Sequence, residues 1–357
     1  MALSKKLLEK ASALGKHLAE NRLCVVAGAG ICRDPPAGLP DWRGLASELD
    51  QCLGTGLEAK TFDNPLEAMT VIERLLATDP REARKKLVRA IRKVVPSSSK
   101  PTKVHSLLLT LGCPIYTTNI DGLFEKAACS AGVPIQVVRR DTDVPSRGTG
   151  ARLIKLHGDL NACAPEDLVL NEADYNSVIH ASRRRAVFDQ FRADLEKTSV
   201  LFVGHSGTDP DLRCVLHYID ELLGTAGRKA WLLTADASRD RCSLMESRGF
   251  QVIQLKDYRD VPDFLARVRR DSEAARVTPT PAPPHSAEPV KVIEEAWRDE
   301  AEEIGRLFQQ GNFETALESA KRWETRVAGA PGVSEAVVSQ IHRIKAICHR
   351  ELFSLAE

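Results

Sequence analysis

The sequence predicts an α/β fold in which a Rossmann-like, mostly parallel sheet carries a helical insert and is followed by a small all-α C-terminal appendage. Short apolar runs recur between residues 23 and 255, and helical patterns separate most of them. Short buried strands that alternate with helices are typical of βαβ units, whose parallel sheets are covered on both faces. The strands that we expect are Leu23–Ala27, Pro114–Thr117, Ile135–Val138, Arg152–Leu156, Ser199–Val203, Ala230–Leu233 and Gln251–Leu255.

The helical segments follow from the spacing of apolar residues. Residues 4–21 place their leucines on one side of an amphipathic helix. Residues 45–111 are helical apart from two proline-containing breaks, which predicts a helical insert between the first and second strands. Further helices are expected over residues 122–131 and 183–197.

A change in composition divides the chain. Residues 278–284 are rich in proline, and such a stretch favours an extended spacer over a sheet. We therefore expect a first domain over residues 1–275, a linker over 276–291 and a helical interaction region over 292–357. The string Gly311–Leu317 is similar to the turn between the two helices of a tetratricopeptide repeat. One such unit is visible where a solenoid needs about three, so we interpret this region as a packing or oligomerisation element.

Composition and charge exclude several classes of protein. The 357 residues contain 50 Lys and Arg against 49 Asp and Glu, so no overall field favours nucleic acid or an anionic membrane. The sequence lacks an apolar run long enough for a transmembrane helix and an apolar core typical of a signal peptide. We expect a soluble, cytoplasmic protein with no membrane partner.

The nine cysteines do not form a recognisable framework. No Cys-x-x-Cys pair occurs, so neither a zinc knuckle nor a disulfide scaffold is expected. Most of these side chains are expected to be buried as small apolar groups.

Polar or glycine-rich strings follow four of the predicted strands, at the edge where parallel sheets bind ligands. The first is Gly28-Ala29-Gly30, whose glycines let backbone amides approach a pyrophosphate. A dinucleotide-binding turn has a third glycine where this chain has Arg33, and a tight turn without a ligand is the alternative.

The string Gly38–Arg43 lies close behind the glycine turn. It offers an acid, a large aromatic side chain and an arginine at Asp41, Trp42 and Arg43. An ordinary polar loop with a packed tryptophan explains the same residues.

The second and third strand ends carry an amide and an imidazole. Asn119 and Asp121 follow the second expected strand, although Asn and Asp are also preferred helix caps. His157 ends the run 152–156, and histidine is well suited to proton transfer near neutral pH. A structural role for a histidine at this position is the alternative.

The fourth string, Gly204-His205-Ser206, follows another apolar run. It suits a contact with a ribose hydroxyl, or it simply turns the chain.

In this order, the strings resemble the NAD-binding domain of the sirtuin family. The similarity covers roughly residues 20 to 260, and the combination is far more specific than any single string. The matching strings are Gly28–Ile31, Gly38–Arg43, Thr118–Asp121, His157-Gly158 and Gly204–Ser206.

Finer details resemble the sirtuin-like branch of bacterial anti-phage systems, such as Thoeris effectors and the partners of short Argonautes. These details lie in residues 117–121, 172–175 and 204–210. The resemblance implies hydrolysis of NAD, which is then a substrate, in place of protein deacylation.

Three positions depart from the family pattern. Cys32 stands where the family usually has serine, and Trp42 replaces a phenylalanine. The segment after His157 contains only Cys163, so the four-cysteine zinc module of the deacylases is missing. We therefore expect no zinc and no other metal, and the deacylase alternative is weakened.

The resemblance assigns a role to each matching residue. Asn119 and His157 are the implied catalytic residues: Asn119 holds a water or the ribose hydroxyls, and His157 acts as a base. Asp121 is implied to hold the carboxamide, Trp42 to shield the reacting ribose, and Gly204 with Ser206 to contact the adenosine ribose. The pyrophosphate is implied to face Gly28, Ala29, Gly30 and Arg43. The implied NAD-binding set is Gly28, Ala29, Gly30, Asp41, Trp42, Arg43, Asp121, Gly204 and Ser206.

The sequence is also compatible with functions other than NAD hydrolysis. A protein deacylase and a non-catalytic sensor of NAD or ADP-ribose are the alternatives to a hydrolase. Because uncontrolled NAD hydrolysis would poison its host, we expect control by a homo-oligomer or by an activating partner, such as an Argonaute-like protein or an ATPase. Direct nucleic-acid binding is not expected, because the basic patch of residues 183–185 and Arg192 has acidic neighbours at Asp189, Asp194 and Glu196.

Overall fold

A seven-stranded parallel sheet lies at the centre of the first part of the chain. The computed structural model describes residues 3–145, 150–179, 184–205, 230–235, 238–247, 249–277, 290–328 and 333–354. Within these ranges the strand order is β3-β4-β2-β1-β5-β6-β7, and every neighbouring pair is parallel. The strands are β1 Leu23–Ala27, β2 Ile115–Thr117, β3 Ile135–Val138, β4 Ala151–Lys155, β5 Ser199–Val203, β6 Ala230–Thr234 and β7 Phe250–Gln254.

The predicted α/β fold class is confirmed. All seven expected strands form, each within about one residue of its predicted ends. They form where predicted because each short apolar run is bounded by glycine, proline or polar residues, and the central strands are buried on both faces. The helices of this part are α1 Lys5–Ala19, α2 Trp42–Leu53, α3 Pro65–Leu76, α4 Pro80–Val94, α5 Lys103–Thr110, α6 Leu123–Ala131, α7 Glu172–Ile179, α8 Arg185–Lys197, α9 Arg239–Ser247 and α10 Val261–Val277.

Alternate residues of each strand enter two different cores. On β1, Val25 packs with α1, α5, α6 and α10, whereas Val26 faces α7, α8 and α9. The sheet is therefore the middle layer of an α/β/α sandwich, as its parallel connections require.

The helical insert has a small core of its own. Helices α2, α3 and α4 pack their apolar faces together around Leu49, Met69 and Leu87. The same cluster includes Ile120 and Leu160, which lie in the loops after β2 and β4. The insert therefore packs on the loops at the carboxyl edge of the sheet. Helix α5, by contrast, packs on the face of the sheet.

The last part of the chain is a separate helical unit. Contacts divide the chain into residues 1–279 and 280–357. The second unit contains α11 Val290–Gln309, α12 Phe313–Ala328 and α13 Glu335–Ser354. Its core centres on Trp297 and Trp323, whose rings meet edge to face at 5.4 Å. The proline-rich residues 278–284 lie outside the described ranges.

None of the helices in the described ranges is long and apolar enough to cross a membrane.

Candidate functional site

The order of the strands creates a switch point at β1. The chain passes from β1 to β2 on one side, and β5 later joins β1 on the other side. Loops that leave two such strands diverge, and the crevice between them is where doubly wound sheets bind ligands. The four strings identified in the sequence lie after β1, β2, β4 and β5, at this edge.

A cleft of about 390 Å³ opens at this edge. It brings together five of the predicted site residues, namely Ala29, Asp41, Trp42, Asn119 and Asp121. Apolar side chains form much of the remaining wall, so a bound group would be shielded from water. The other lining residues are Cys32, Leu39, Pro40, Leu45, Val95, Thr118 and Ile120.

Asn119 is held at the base of the cleft by the ends of the central strands. The Thr117 hydroxyl donates to the carbonyl oxygen of Ala27 at 2.9 Å and accepts the Asn119 amide hydrogen at 3.1 Å. The side-chain Nδ2 of Asn119 donates to the Gly28 carbonyl at 3.4 Å and to Cys32 Sγ at 3.3 Å. Asn119 is only 6% exposed, and its Oδ1 has no hydrogen-bond partner among the described residues. A buried acceptor of this kind requires a donor from a ligand or a water.

The glycines of the first and fourth strings pack against each other. The amides of Gly28 and Gly30 donate to the carbonyl oxygens of Val203 and Gly204, each at 2.9 Å. A Cβ on Gly30 would lie 2.6 Å from the Gly204 oxygen, and a Cβ on Gly28 would lie 2.7 Å from the ring of His205. Gly204 has φ +75°, which favours glycine. These glycines therefore allow two loops to touch, and a direct contact of Gly28 or Gly30 with phosphate stays a prediction.

His157 lies beside the cleft, between two aromatic rings. Its imidazole is buried, and its centroid lies 6.0 Å from that of Trp42 and 5.0 Å from that of Tyr175. Both contacts are edge-on, a favourable geometry for aromatic rings. Trp42 contacts His157 and also lines the cleft, so it connects the imidazole with the pocket that contains Asn119.

A buried ionic cluster supports the turn that carries His157. Lys155, two residues earlier, is fully buried and lies 3.0 Å from Asp159 and 3.2 Å from Glu125. Arg139 also pairs with Asp159, at 2.8 Å. Burial alone would raise the pKa of Asp159, but the charge of Lys155 and the bond from Arg139 lower it to about 2. His157 therefore sits on a rigid, charge-paired support.

Asp121 and Asp41 each have a structural bond in addition to their place at the cleft. Asp121 Oδ1 accepts the amide hydrogen of Leu123 at 2.9 Å, at the start of α6. Asp41 is the N-cap of α2 and accepts from Gly44 at 2.8 Å. The N-cap of α6 is Gly122, so Asp121 bonds the start of the helix from one position before the cap, and its second carboxylate oxygen stays close to the cleft floor.

Arg43 points away from this cleft. Its guanidinium donates to the carbonyl oxygens of Phe62 and Asp63 at 2.9 and 2.8 Å. Its predicted contact with pyrophosphate therefore requires that these bonds be exchanged. Ser206, the last predicted residue, lies outside the described residues.

Sequence reasoning missed a second polar group at the cleft floor. Sγ of Cys32 lies 3.6 Å from Nε2 of His105 and 3.6 Å from Oδ2 of Asp121. His105 belongs to α5, more than seventy residues along the chain from Cys32. The only local signal is the string Pro101-Thr102-x-x-His105, which has the form of a helix start.

The parallel sheet defines a Rossmann-like α/β protein, and its cleft lies at the switch point, where sheets of this kind bind ligands. Residues 114–253 match the family model described as the SIR2-like domain. The chain is therefore similar to proteins with a SIR2-like domain, and one relative with this similarity is named for a role in defence.

Three relatives illustrate this similarity. The chain is 26% identical over 246 residues to "NAD(+) hydrolase ThsA" of Cytobacillus dafuensis, covering 68% of this chain and 46% of the relative. It is 23% identical over 284 residues to "NAD(+) hydrolase ThsA" of Bacillus cereus (strain MSX-D12), covering 73% and 57%. It is 22% identical over 171 residues to "Defense-associated sirtuin 2" of Bacillus subtilis, covering 46% and 17%. The chain thus spans between 17% and 57% of the length of these relatives.

Proposed function

We propose that the protein is an NAD⁺ hydrolase that cleaves the bond between nicotinamide and ribose. The observation that carries this proposal is the unpartnered, buried Oδ1 of Asn119 in a largely apolar cleft that Trp42 connects to His157. The names of two relatives, both NAD(+) hydrolases, support the same chemistry.

The cleft offers what this reaction needs. Nicotinamide leaves as a neutral molecule with the bonding electron pair, so no general acid is required. Water then adds to the anomeric carbon, and its proton passes to a base. In our proposal Asn119 Oδ1 accepts a hydrogen bond from this water or from a ribose hydroxyl, and His157 accepts the proton. The apolar wall and the Trp42 ring shield the cationic ribose from other nucleophiles.

The proposal is tested by incubating the purified protein with NAD⁺ and separating the products by chromatography. We expect nicotinamide and ADP-ribose in equal amounts, and Asn119→Ala and His157→Ala are each expected to lower the rate by about 100-fold or more. Asn176→Ala, at an exposed asparagine of α7, is the matched control. Full turnover by both variants, or intact NAD⁺ with the wild-type protein under all conditions, would exclude the assignment.

The same chromatogram distinguishes the alternatives. A deacylase would release nicotinamide only after an acylated peptide is added. A sensor would bind NAD and leave it whole. Cyclic ADP-ribose elutes separately from the linear product.

We further propose that the activity is a regulated effector of anti-phage defence, in which NAD depletion leads to abortive infection. The name "Defense-associated sirtuin 2" of one relative supports this setting. The insert helices α2, α3 and α4 share a core with Ile120 and Leu160 beside the site, which makes the insert a suitable surface for a second copy or an activating partner. Specific activity that rises with protein concentration or with an added partner is expected. A full rate at every concentration, with no partner, would exclude this control.

A further inference from the structure

We propose that His105 is a positioning residue, which aims the thiol of Cys32 and the carboxylate of Asp121 at the floor of the cleft. His105 itself is completely buried and does not line the cleft. The kinetic effect that we predict for His105 rests on the proposed function. The hydrogen bonds of His105 do not depend on that function.

The first step is the proton on the imidazole. The backbone N–H of Thr102 lies 3.1 Å from Nδ1 of His105, and a backbone N–H can only donate. Nδ1 is therefore the acceptor, and a neutral His105 carries its proton on Nε2. The ring of Phe124 packs edge-on at 4.9 Å and fixes the plane of the imidazole. The bond from the Thr102 N–H thus favours the tautomer with its proton on Nε2, and the packing of Phe124 sets the direction of Nε2–H.

The second step is the charge of each group. Burial lowers the pKa of His105 to about 4, against the opposing effect of Asp121, so the imidazole is neutral near pH 7. Burial, and then the charge of Asp121, raise the pKa of Cys32 well above its ordinary value. The sulfur is therefore a thiol, which can accept from one side and donate to the other.

These states define one direction for the chain of hydrogen bonds. Thr102 N–H donates to His105, and Nε2–H of His105 points to Cys32 Sγ at 3.6 Å. The thiol donates to Oδ2 of Asp121 at 3.6 Å, while Nδ2 of Asn119 donates to the same sulfur at 3.3 Å. The protons of His105 and Cys32 thus point along the chain toward Asp121, and the chain holds the Asp121 carboxylate in one orientation.

A metal ion is the competing explanation for this cluster. The ligand atoms of Cys32, His105 and Asp121 all lie within 4.8 Å of one another, which makes them a candidate set of metal ligands. A metal on Nε2 would force the proton onto Nδ1, where it would face the N–H of Thr102. The bond from Thr102 therefore favours the hydrogen-bonded chain.

The test compares His105→Met with His105→Gln. Methionine has a similar volume and no donor, whereas the glutamine amide can place an N–H near the position of Nε2. If His105 acts through Asp121, His105→Met raises the KM for NAD⁺ by about tenfold and His105→Gln restores most of it. The double variant His105→Met/Asp121→Asn is then no worse than Asp121→Asn alone.

Three outcomes would overturn the proposal. The first is that the effects of His105→Met and Asp121→Asn on KM add up in the double variant. The second is that His105→Gln raises KM as much as His105→Met does. The third is that the purified protein contains stoichiometric zinc, which Cys32→Ser removes. If the wild-type protein does not hydrolyse NAD⁺, the proposed function is wrong, but the role of His105 can still be tested. The same single and double variants are then compared by their affinity for NAD⁺, measured by calorimetry. Thermal unfolding of each variant distinguishes a loss of positioning from a loss of fold.

Discussion

The ring of Tyr175 stands edge-on against the imidazole of His157, with the centroids 5.0 Å apart and the planes at 77°. Tyr175 belongs to the first turn of α7, next to Asp174, and Asp174 pairs with Arg84 of the insert helix α4 at 2.7 Å. The side chain that we propose as the base is therefore connected to the helical insert by two contacts. These contacts support our proposal that the activity is controlled through the insert.

The Tyr175 contact predicts different results for two substitutions. The hydroxyl of Tyr175 has no partner among the described residues, so Tyr175→Phe is expected to keep both activity and stability. Tyr175→Leu removes the ring from His157 and is expected to lower kcat by about two- to tenfold, in line with 0.5–1.5 kcal/mol for an aromatic pair. Tyr258→Leu, at a half-exposed tyrosine, is the control for general effects of the change. Equal kcat values for Tyr175→Leu and Tyr175→Phe would show that the ring does not position His157.

The ion pairs of Arg84 predict a large effect on stability. Arg84 Nε lies 2.8 Å from a carboxylate oxygen of Glu73, and Arg84 also pairs with Asp174. The carboxylates of Glu73 and Asp174 are both mostly buried. Arg84→Met leaves two buried carboxylates without their cation, which is expected to lower the free energy of unfolding by about 3 kcal/mol. Arg81→Met, at an exposed position of the same helix, is the matched control and is expected to change it little. Urea denaturation followed by circular dichroism measures both.

The loss of unfolding free energy caused by Arg84→Met is also expected to depend on pH. Burial, opposed by Arg84, already raises the pKa of Glu73, and loss of the arginine raises it further. A carboxyl whose pKa is raised on folding binds more protons in the native state, so stability increases as the pH falls. The deficit should therefore be smaller at pH 5 than at pH 8. A deficit that is constant over this interval would mean that Glu73 does not carry the unpaired charge.

The sheet and the meeting point of Asn119, Asp121 and Trp42 could be predicted from the sequence. Apolar runs that end in polar residues define the carboxyl edge of a parallel sheet, and all such edges come together in space. The catalytic and binding roles assigned to these residues stay predictions. The direction of an individual side chain could not be predicted in the same way. Nothing in residues 38–43 indicates that Arg43 donates to the carbonyl oxygens of residues 62 and 63.

His105 and Lys155 were missed for a physical reason. Lys155 lies within an apolar strand, and its burial is tolerated only because Glu125 and Asp159 arrive from other segments. His105 meets Cys32 through the packing of α5 on the sheet. Partners that are distant in the chain leave no periodic or local pattern.

The close contact between the first and fourth strings predicts that Gly30 cannot be replaced. A Cβ at Gly30 would meet the backbone of Gly204 at 2.6 Å, and backbone cannot move aside as a side chain can. Gly30→Ala is expected to destabilise the protein by about 1–3 kcal/mol and to disturb the cleft. Gly305→Ala, in helix α11 with open space around it, is expected to stabilise its helix by up to about 1 kcal/mol. A thermal melt of Gly30→Ala that matches the wild type would show that the two loops do not touch in solution.

The ionic support of His157 predicts an acid-dependent stability. Asp159 has its pKa lowered to about 2, mainly because Lys155 and Arg139 outweigh the effect of burial. A carboxyl whose pKa is lowered on folding stabilises the native state at every pH above its unfolded pKa of 3.8. This stabilisation is lost as the pH falls toward the folded pKa of about 2. Asp159→Asn removes the contribution at every pH and leaves Lys155 with one carboxylate fewer, so it is expected to cost about 3 kcal/mol at pH 7.

The difference between wild type and Asp159→Asn should therefore shrink as the pH is lowered from 4 to 2. Glu125, whose pKa burial raises, loses its charge at a higher pH than Asp159 and does not account for a change in this interval. Asp189→Asn, at an exposed aspartate, serves as the control and should follow the wild type. Denaturant titrations at pH 7, 4 and 3 provide the comparison. A difference that is the same at pH 7 and pH 3 would mean that Lys155 is held by Glu125 alone, and His157 would then rest on a weaker support than the geometry indicates.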